Sequence, residues 1–174
     1  RVGNPVRRRF SPVQIGNVRL WLCARFKRNV WTTDARTTNI SVSSDPIGCV
    51  DDLSGVTGNA LQTSAGSRPT WSTSVFTDGA ISLDGVDDFL IGASTVFGTS
   101  ASARSIFAAF KVASTTPINS LFTNRISARL HAMLVNQPFL STANQSAANN
   151  VTTTTSIGGA TSKCTMAWVW TGSG

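Results

Sequence analysis

Apolar and polar residues alternate over short runs in this chain, and apolar positions seldom recur at helical spacing, so the pattern predicts strands. The clearest run is Ile81-Ser82-Leu83-Asp84-Gly85-Val86-Asp87-Asp88-Phe89-Leu90. Alternating residues flank an Asp-Gly dipeptide that tolerates positive φ, which predicts a hairpin of strands 79–83 and 89–91. Residues 18–26 read as a strand anchored by Trp21, and 39–42 as a short one. Residues 45–48 carry turn chemistry, and 51–59 form a polar loop with Gly55 and Gly58. Residues 104–113 are apolar on both alternating sets, which predicts a central strand. Segments 120–123, 128–135, 151–156 and 164–170 complete the set. Residues 141–161 are low in complexity and read as an exposed loop followed by an edge strand, or as a mobile tip. Many short strands separated by turn signals predict a two-sheet antiparallel sandwich.

At 174 residues, 41% of them hydrophobic, the chain suits one well-buried domain. No apolar run approaches the roughly 18–20 residues that cross a bilayer, so no membrane partner is expected. No secretory signal is legible at the N-terminus, although the chain starts with Arg1. Charge changes the picture more. Residues 1–33 hold eight basic residues and no acid, whereas all eight Asp lie further on. Pro5 and Pro12 disfavour a continuous helix or central strand there. Residues 1–17 therefore read as an extended basic arm, with 18–174 as the sandwich. Arg7, Arg8 and Arg9 are the expected subunit contacts, meeting acidic side chains or carbonyl groups of neighbours. Such a cluster also neutralises phosphates, but Phe10 is the only aromatic of the arm and no nucleic-acid module is recognisable, so nucleic acid is not the expected partner.

Cys23, Cys49 and Cys164 are widely spaced and lack a Cys-x-x-Cys pair, which speaks against a zinc site. Cys23 and Cys164 read as small buried hydrophobes, with one disulfide plus a free thiol as the alternative. Sequon matches at Asn39, Asn144 and Asn150 carry no functional weight in a chain this rich in Asn, Ser and Thr. There is no Glu and no Tyr, no Gly-x-Ser-x-Gly elbow, and His131 has no local partner pattern, so no catalytic residues are assigned. The Asp residues concentrate in turns. Asp51, Asp52 and Asn59 form one oxygen-rich group and Asp84, Asp87 and Asp88 another, and calcium is the one cofactor either would take. Neither has EF-hand spacing, and the favoured reading is that Asp52 and Asp84 accept backbone hydrogen bonds and cap their turns.

The ordered series Leu20-Trp21-Leu22, Asp52-Leu53-Ser54-Gly55, Arg68-Pro69-Thr70, the Asp84-Gly85 turn and Ser105-Ile106-Phe107-Ala108-Ala109-Phe110-Lys111 resembles concanavalin A-like, laminin-G-like jelly-roll domains. Such domains occur in bacterial surface proteins and in phage fibre, tail and capsid-associated proteins. The resemblance covers about residues 15–111 and departs at Cys23, where Asp is common, and at Val50, where an aromatic is usual. It implies an all-β jelly-roll sandwich, incomplete at its C-terminus after the strand ending at Trp170 and completed by another segment or subunit. Glycosidases of this fold carry paired glutamates, which this chain lacks. The expected role is a non-enzymatic structural component of a virion, assembled in the host cytoplasm among other subunits as a homo-oligomer or within a larger assembly. The alternative is a carbohydrate-binding adhesion module that uses Trp31 and Trp71 as sugar platforms, since both lie beside polar loop residues.

Overall fold

The computed structural model describes residues 12–93 and the segments 104–111, 119–126, 129–136, 139–144, 151–156 and 163–170. The described regular structure is β-strand with short 3-10 turns, in small antiparallel sheets. No helix among the described residues is long and apolar enough to cross a membrane. The chain divides into two compact units, Arg1–Val96 and Phe97–Gly174.

In the first unit the strands are very short. β1 (Val30–Trp31), β2 (Cys49–Val50) and β3 (Ala60–Leu61) form one sheet in that order, and β4 (Thr70–Ser72) pairs with β5 (Ala80–Ser82). Val30, Ile40, Ile47, Val50 and Trp71 make the buried core, with Leu22, Ala24, Ile81 and Leu90 packed against it. Each such side chain, fully buried, contributes about 1.5–3 kcal/mol relative to exposure. Backbone hydrogen bonds between distant loops tie the ladders together, among them Ile47 N–H to the Pro69 carbonyl (2.7 Å) and Trp71 N–H to the Asp45 carbonyl (2.9 Å).

Four expectations need correction here. Residues 12–14, within the arm read as extended, form a 3-10 turn, with Ile15 N–H donating to the Pro12 carbonyl at 2.9 Å. Residues 39–42 contribute one isolated bridge, Asn39 to Trp31, and no strand. Residues 18–26 join no ladder. A carboxylate replaces the partner strand, since Trp21 N–H donates to Asp52 Oδ1 at 2.9 Å while the Trp21 carbonyl accepts from Leu53 N–H at 3.0 Å. The 79–91 hairpin also does not form. β5 pairs with β4, with Trp71 opposite Ile81, and Ile91 instead bridges to Leu61. The Asp84-Gly85 turn is present, with Gly85 at φ +80°. Asp84 spreads it into a loop through Asp88 too wide for a two-residue hairpin.

In the second unit β7 (Asn119–Ile126), β8 (Arg129–Asn136), β9 (Phe139–Asn144) and β10 (Val151–Ser156) form an antiparallel meander. β6 (Arg104–Lys111) pairs along its full length with β11 (Lys163–Trp170), Arg104 opposite Trp170 and Lys111 opposite Lys163. Among the described residues β6 has this one neighbour, not the two of a central strand. Ser105, Phe107, Ala109 and Lys111 are exposed, whereas Ile106 and Ala108 are half-buried and Phe110 is buried. The apolar residues of 104–113 thus do not make two buried faces. β9 falls in a stretch read partly as loop, because Ser141, Thr142 and Asn144 hide its alternation.

Candidate functional site

The Asp84 loop is the densest group of charge-bearing ligand atoms among the described residues. Asp84, Asp87 and Asp88 bring one oxygen each within 4.8 Å of one another on the surface. The loop is self-capped: Asp84 Oδ1 accepts from the N–H groups of Val86 (2.8 Å), Asp87 (3.3 Å) and Asp88 (3.4 Å), and Asp88 Oδ2 accepts from Asp84 N–H at 2.9 Å. Asp87 Oδ2 accepts from the Ser67 hydroxyl at 2.9 Å. The amide of Val86, then those of Asp87 and Asp88, hold the Asp84 carboxyl below its ordinary pKa against a smaller opposing effect of desolvation. Asp88 is pushed up, first by desolvation and then by the carboxylates of Asp84 and Asp87, with the Asp84 amide opposing. A calcium ion bound by the three carboxylates would relieve that repulsion. A thermal shift with calcium over a chelated control, lost in Asp87→Asn/Asp88→Asn, is the expected sign of binding; equal melting in both conditions leaves the loop as a self-capped turn.

The other oxygen group is split, which corrects its reading as one ligand set. Asp51 accepts from Trp31 Nε1–H (3.0 Å) and pairs with Arg36 (Nε to Oδ1, 3.1 Å), and the Arg36 guanidinium stacks 5.3 Å from the Trp31 ring centroid. Asp52 faces the next loop, where it accepts from the N–H groups of Trp21, Ser54 and Thr57. Asn59 Oδ1 is occupied by Asp52 N–H at 3.0 Å. Burial pushes the Asp52 carboxyl up, but the Trp21 amide, the Ser54 hydroxyl and amide and the Thr57 amide outweigh it, and the pKa is lowered.

Trp71 is not a sugar platform. Its side chain is core, with the residue 3% exposed, Nε1–H donating to the Ala24 carbonyl (3.0 Å) and Lys27 Nζ lying 4.4 Å from a ring centroid. Trp31 is half-buried, and Arg36 stacks on its ring. Arg7, Arg8 and Arg9 lie outside the described residues. Cys23 and Cys49 are free thiols, and Cys49 is fully buried. Burial, followed by the Asp51 carboxylate, pushes the Cys49 thiol up to about 11, against the pull of Arg36, which makes it a poor nucleophile at neutral pH.

The Trp31–Arg36–Asp51 group escaped the sequence reading. Arg36 sits at φ +58°, an uncommon conformation for a side chain of its size, and nothing in Ala35-Arg36-Thr37 announces it. No family model matches the chain, and no curated protein or solved structure matches it either.

Proposed function

We propose that the chain is a non-enzymatic jelly-roll component of a virus particle, in the manner of phage capsid-associated, fibre or tail proteins, with the basic arm as its anchor. The observation that carries the reading is that all eight carboxylate side chains of the sequence are engaged in architecture. Asp34, Asp51 and Asp78 pair with Arg68, Arg36 and Arg25. Asp45, Asp52 and Asp84 hold backbone amides in turns, Asp88 holds the Asp84 amide, and Asp87 holds the Ser67 hydroxyl. Carboxylates fixed in this way suit a rigid building block better than general acid–base chemistry, which needs a group free to exchange protons with a substrate. The series resembling concanavalin A-like domains and the arm's charge support the assembly role. Deleting residues 1–17 is expected to abolish incorporation into the particle while the remaining chain keeps its melting transition. Normal incorporation of the truncated chain would refute the anchor. The carbohydrate-binding alternative now rests on Trp31, whose half-buried indole is oriented by Asp51. Glycan-array binding lost on Trp31→Ala would favour it.

A further inference from the structure

The second compact unit, Phe97–Gly174, contains five basic residues, Arg104, Lys111, Arg125, Arg129 and Lys163, and no carboxylate side chain at all. The whole-chain net charge of +7 conceals this, because every Asp lies between residues 34 and 88. The ribbon of β6 and β11 carries Lys111 and Lys163 on the same face as an exposed aromatic. Ser105, Phe107, Ala109 and Lys111 alternate on the exposed face of β6, and Phe107 is 71% exposed. Lys163 of β11 stands directly opposite Lys111 in the register, and both are exposed. Like charges directly opposite one another on antiparallel strands repel, and an anion lying across them reverses the sign of that interaction. Phe107 lies four residues from Lys111, about 13 Å along the strand.

We propose that this face binds single-stranded nucleic acid, a base stacking on Phe107 and the backbone phosphates meeting Lys111 and Lys163. A flat aromatic on the same face as cations is the arrangement by which sheet surfaces hold unpaired strands without reading sequence. A polyanion is favoured over an acidic protein because the absence of carboxylates extends over the whole unit. A discrete protein contact needs only local complementarity, whereas a strand lying along the unit gains from meeting no carboxylate anywhere. A second copy of the chain is a poorer occupant, since three of its Asp side chains are already paired with Arg. This inference does not depend on the particle role.

Fluorescence anisotropy of the full chain with a labelled oligothymidylate of about 16 nucleotides, measured across a salt series, tests it. Phe107→Ala is expected to weaken binding at least about fivefold while leaving the salt dependence unchanged. Lys111→Gln/Lys163→Gln is expected to reduce the slope of log affinity against log salt by about 1.4, which is about 0.7 for each phosphate no longer neutralised. Phe107 is exposed, so its truncation leaves no core cavity, and the lysine pair supplies an independent readout. The proposal is overturned if binding is lost only in Arg7→Gln/Arg8→Gln/Arg9→Gln. Poly-glutamate binding as tightly as the oligonucleotide, with no effect of Phe107→Ala, overturns it in favour of an acidic protein partner.

Discussion

Replacing Asp52 by alanine is expected to destabilise the chain by about 3–4 kcal/mol, because three backbone amides lose a charged acceptor at once. Those amides belong to Trp21, Ser54 and Thr57 and lie 2.9, 2.9 and 3.2 Å from the carboxylate. The Ser54 and Thr57 hydroxyls also approach Oδ2, at 2.7 and 3.2 Å, but each has one hydrogen and an alternative acceptor in the Arg19 carbonyl. The amides are therefore the larger loss. Asp52 is only 9% exposed, so water cannot readily replace it, and the segment around Trp21 has no ladder to fall back on. Against a total stability of about 5–15 kcal/mol for a typical domain, this is a large fraction. Chemical denaturation should show the midpoint fall steeply in Asp52→Ala. It should move little in Asp78→Ala, which removes an exposed ion pair with Arg25 worth about 0–1 kcal/mol. Similar shifts in the two variants would contradict the role given to Asp52.

The same carboxylates set the acid limit. Asp45, Asp52 and Asp84 all have lowered pKa values, so each binds protons less readily folded than unfolded. Their contribution is complete above the ordinary carboxylate range, about pH 4, and is lost as pH falls through the lower folded values. Asp88 is raised and works the other way, since protonating it relieves the Asp84 loop as pH falls. Three lowered groups against one raised group predict a net loss of stability below about pH 4.

Gly79→Ala is expected to have an effect as large as that of Asp52→Ala, from a different cause. Gly79 has φ +104°, and a Cβ there would lie 2.4 Å from Trp71 Cζ2 and 2.5 Å from Nε1. The indole cannot retreat without breaking its bond to the Ala24 carbonyl and its stack beneath Lys27. Left-handed strain of about 1–2 kcal/mol adds to overpacking of about 1–3 kcal/mol. At about 2–4 °C per kcal/mol for a chain of this size, a sum of about 2–5 kcal/mol should lower melting by about 4–20 °C. An unchanged melting temperature would mean that Trp71 does not pack on this glycine.

What the sequence disclosed follows from how local each interaction is. Strands β6, β10 and β11 run six to eight residues, long enough for alternation to show, and their expected limits are close to those observed. The first unit's strands run two or three residues and are held by interactions across long sequence separations, such as Trp71 Nε1 to Ala24, which leave no periodic trace. Asp51 and Asp52 looked like one ligand set because they are adjacent. Adjacent residues of an extended chain point to opposite sides, and the two carboxylates accordingly serve different loops. Trp71 looked exposed because its neighbours Thr70, Ser72 and Thr73 are polar, yet in β4 the alternation turns the tryptophan inward and Thr70 and Ser72 outward. The Asp84 loop was legible because Asp-Gly is a local signal, and only its strand partners were not.

The proposal that this chain is a docked building block is tested most directly by cryo-electron microscopy of the particle into which it is proposed to assemble. The account predicts density for the chain at a fixed position, with the arm laid across a neighbouring subunit and Arg7, Arg8 and Arg9 against acidic side chains or carbonyl oxygens. A virion that lacks the chain, or one that holds it with the arm touching no other subunit, would contradict it.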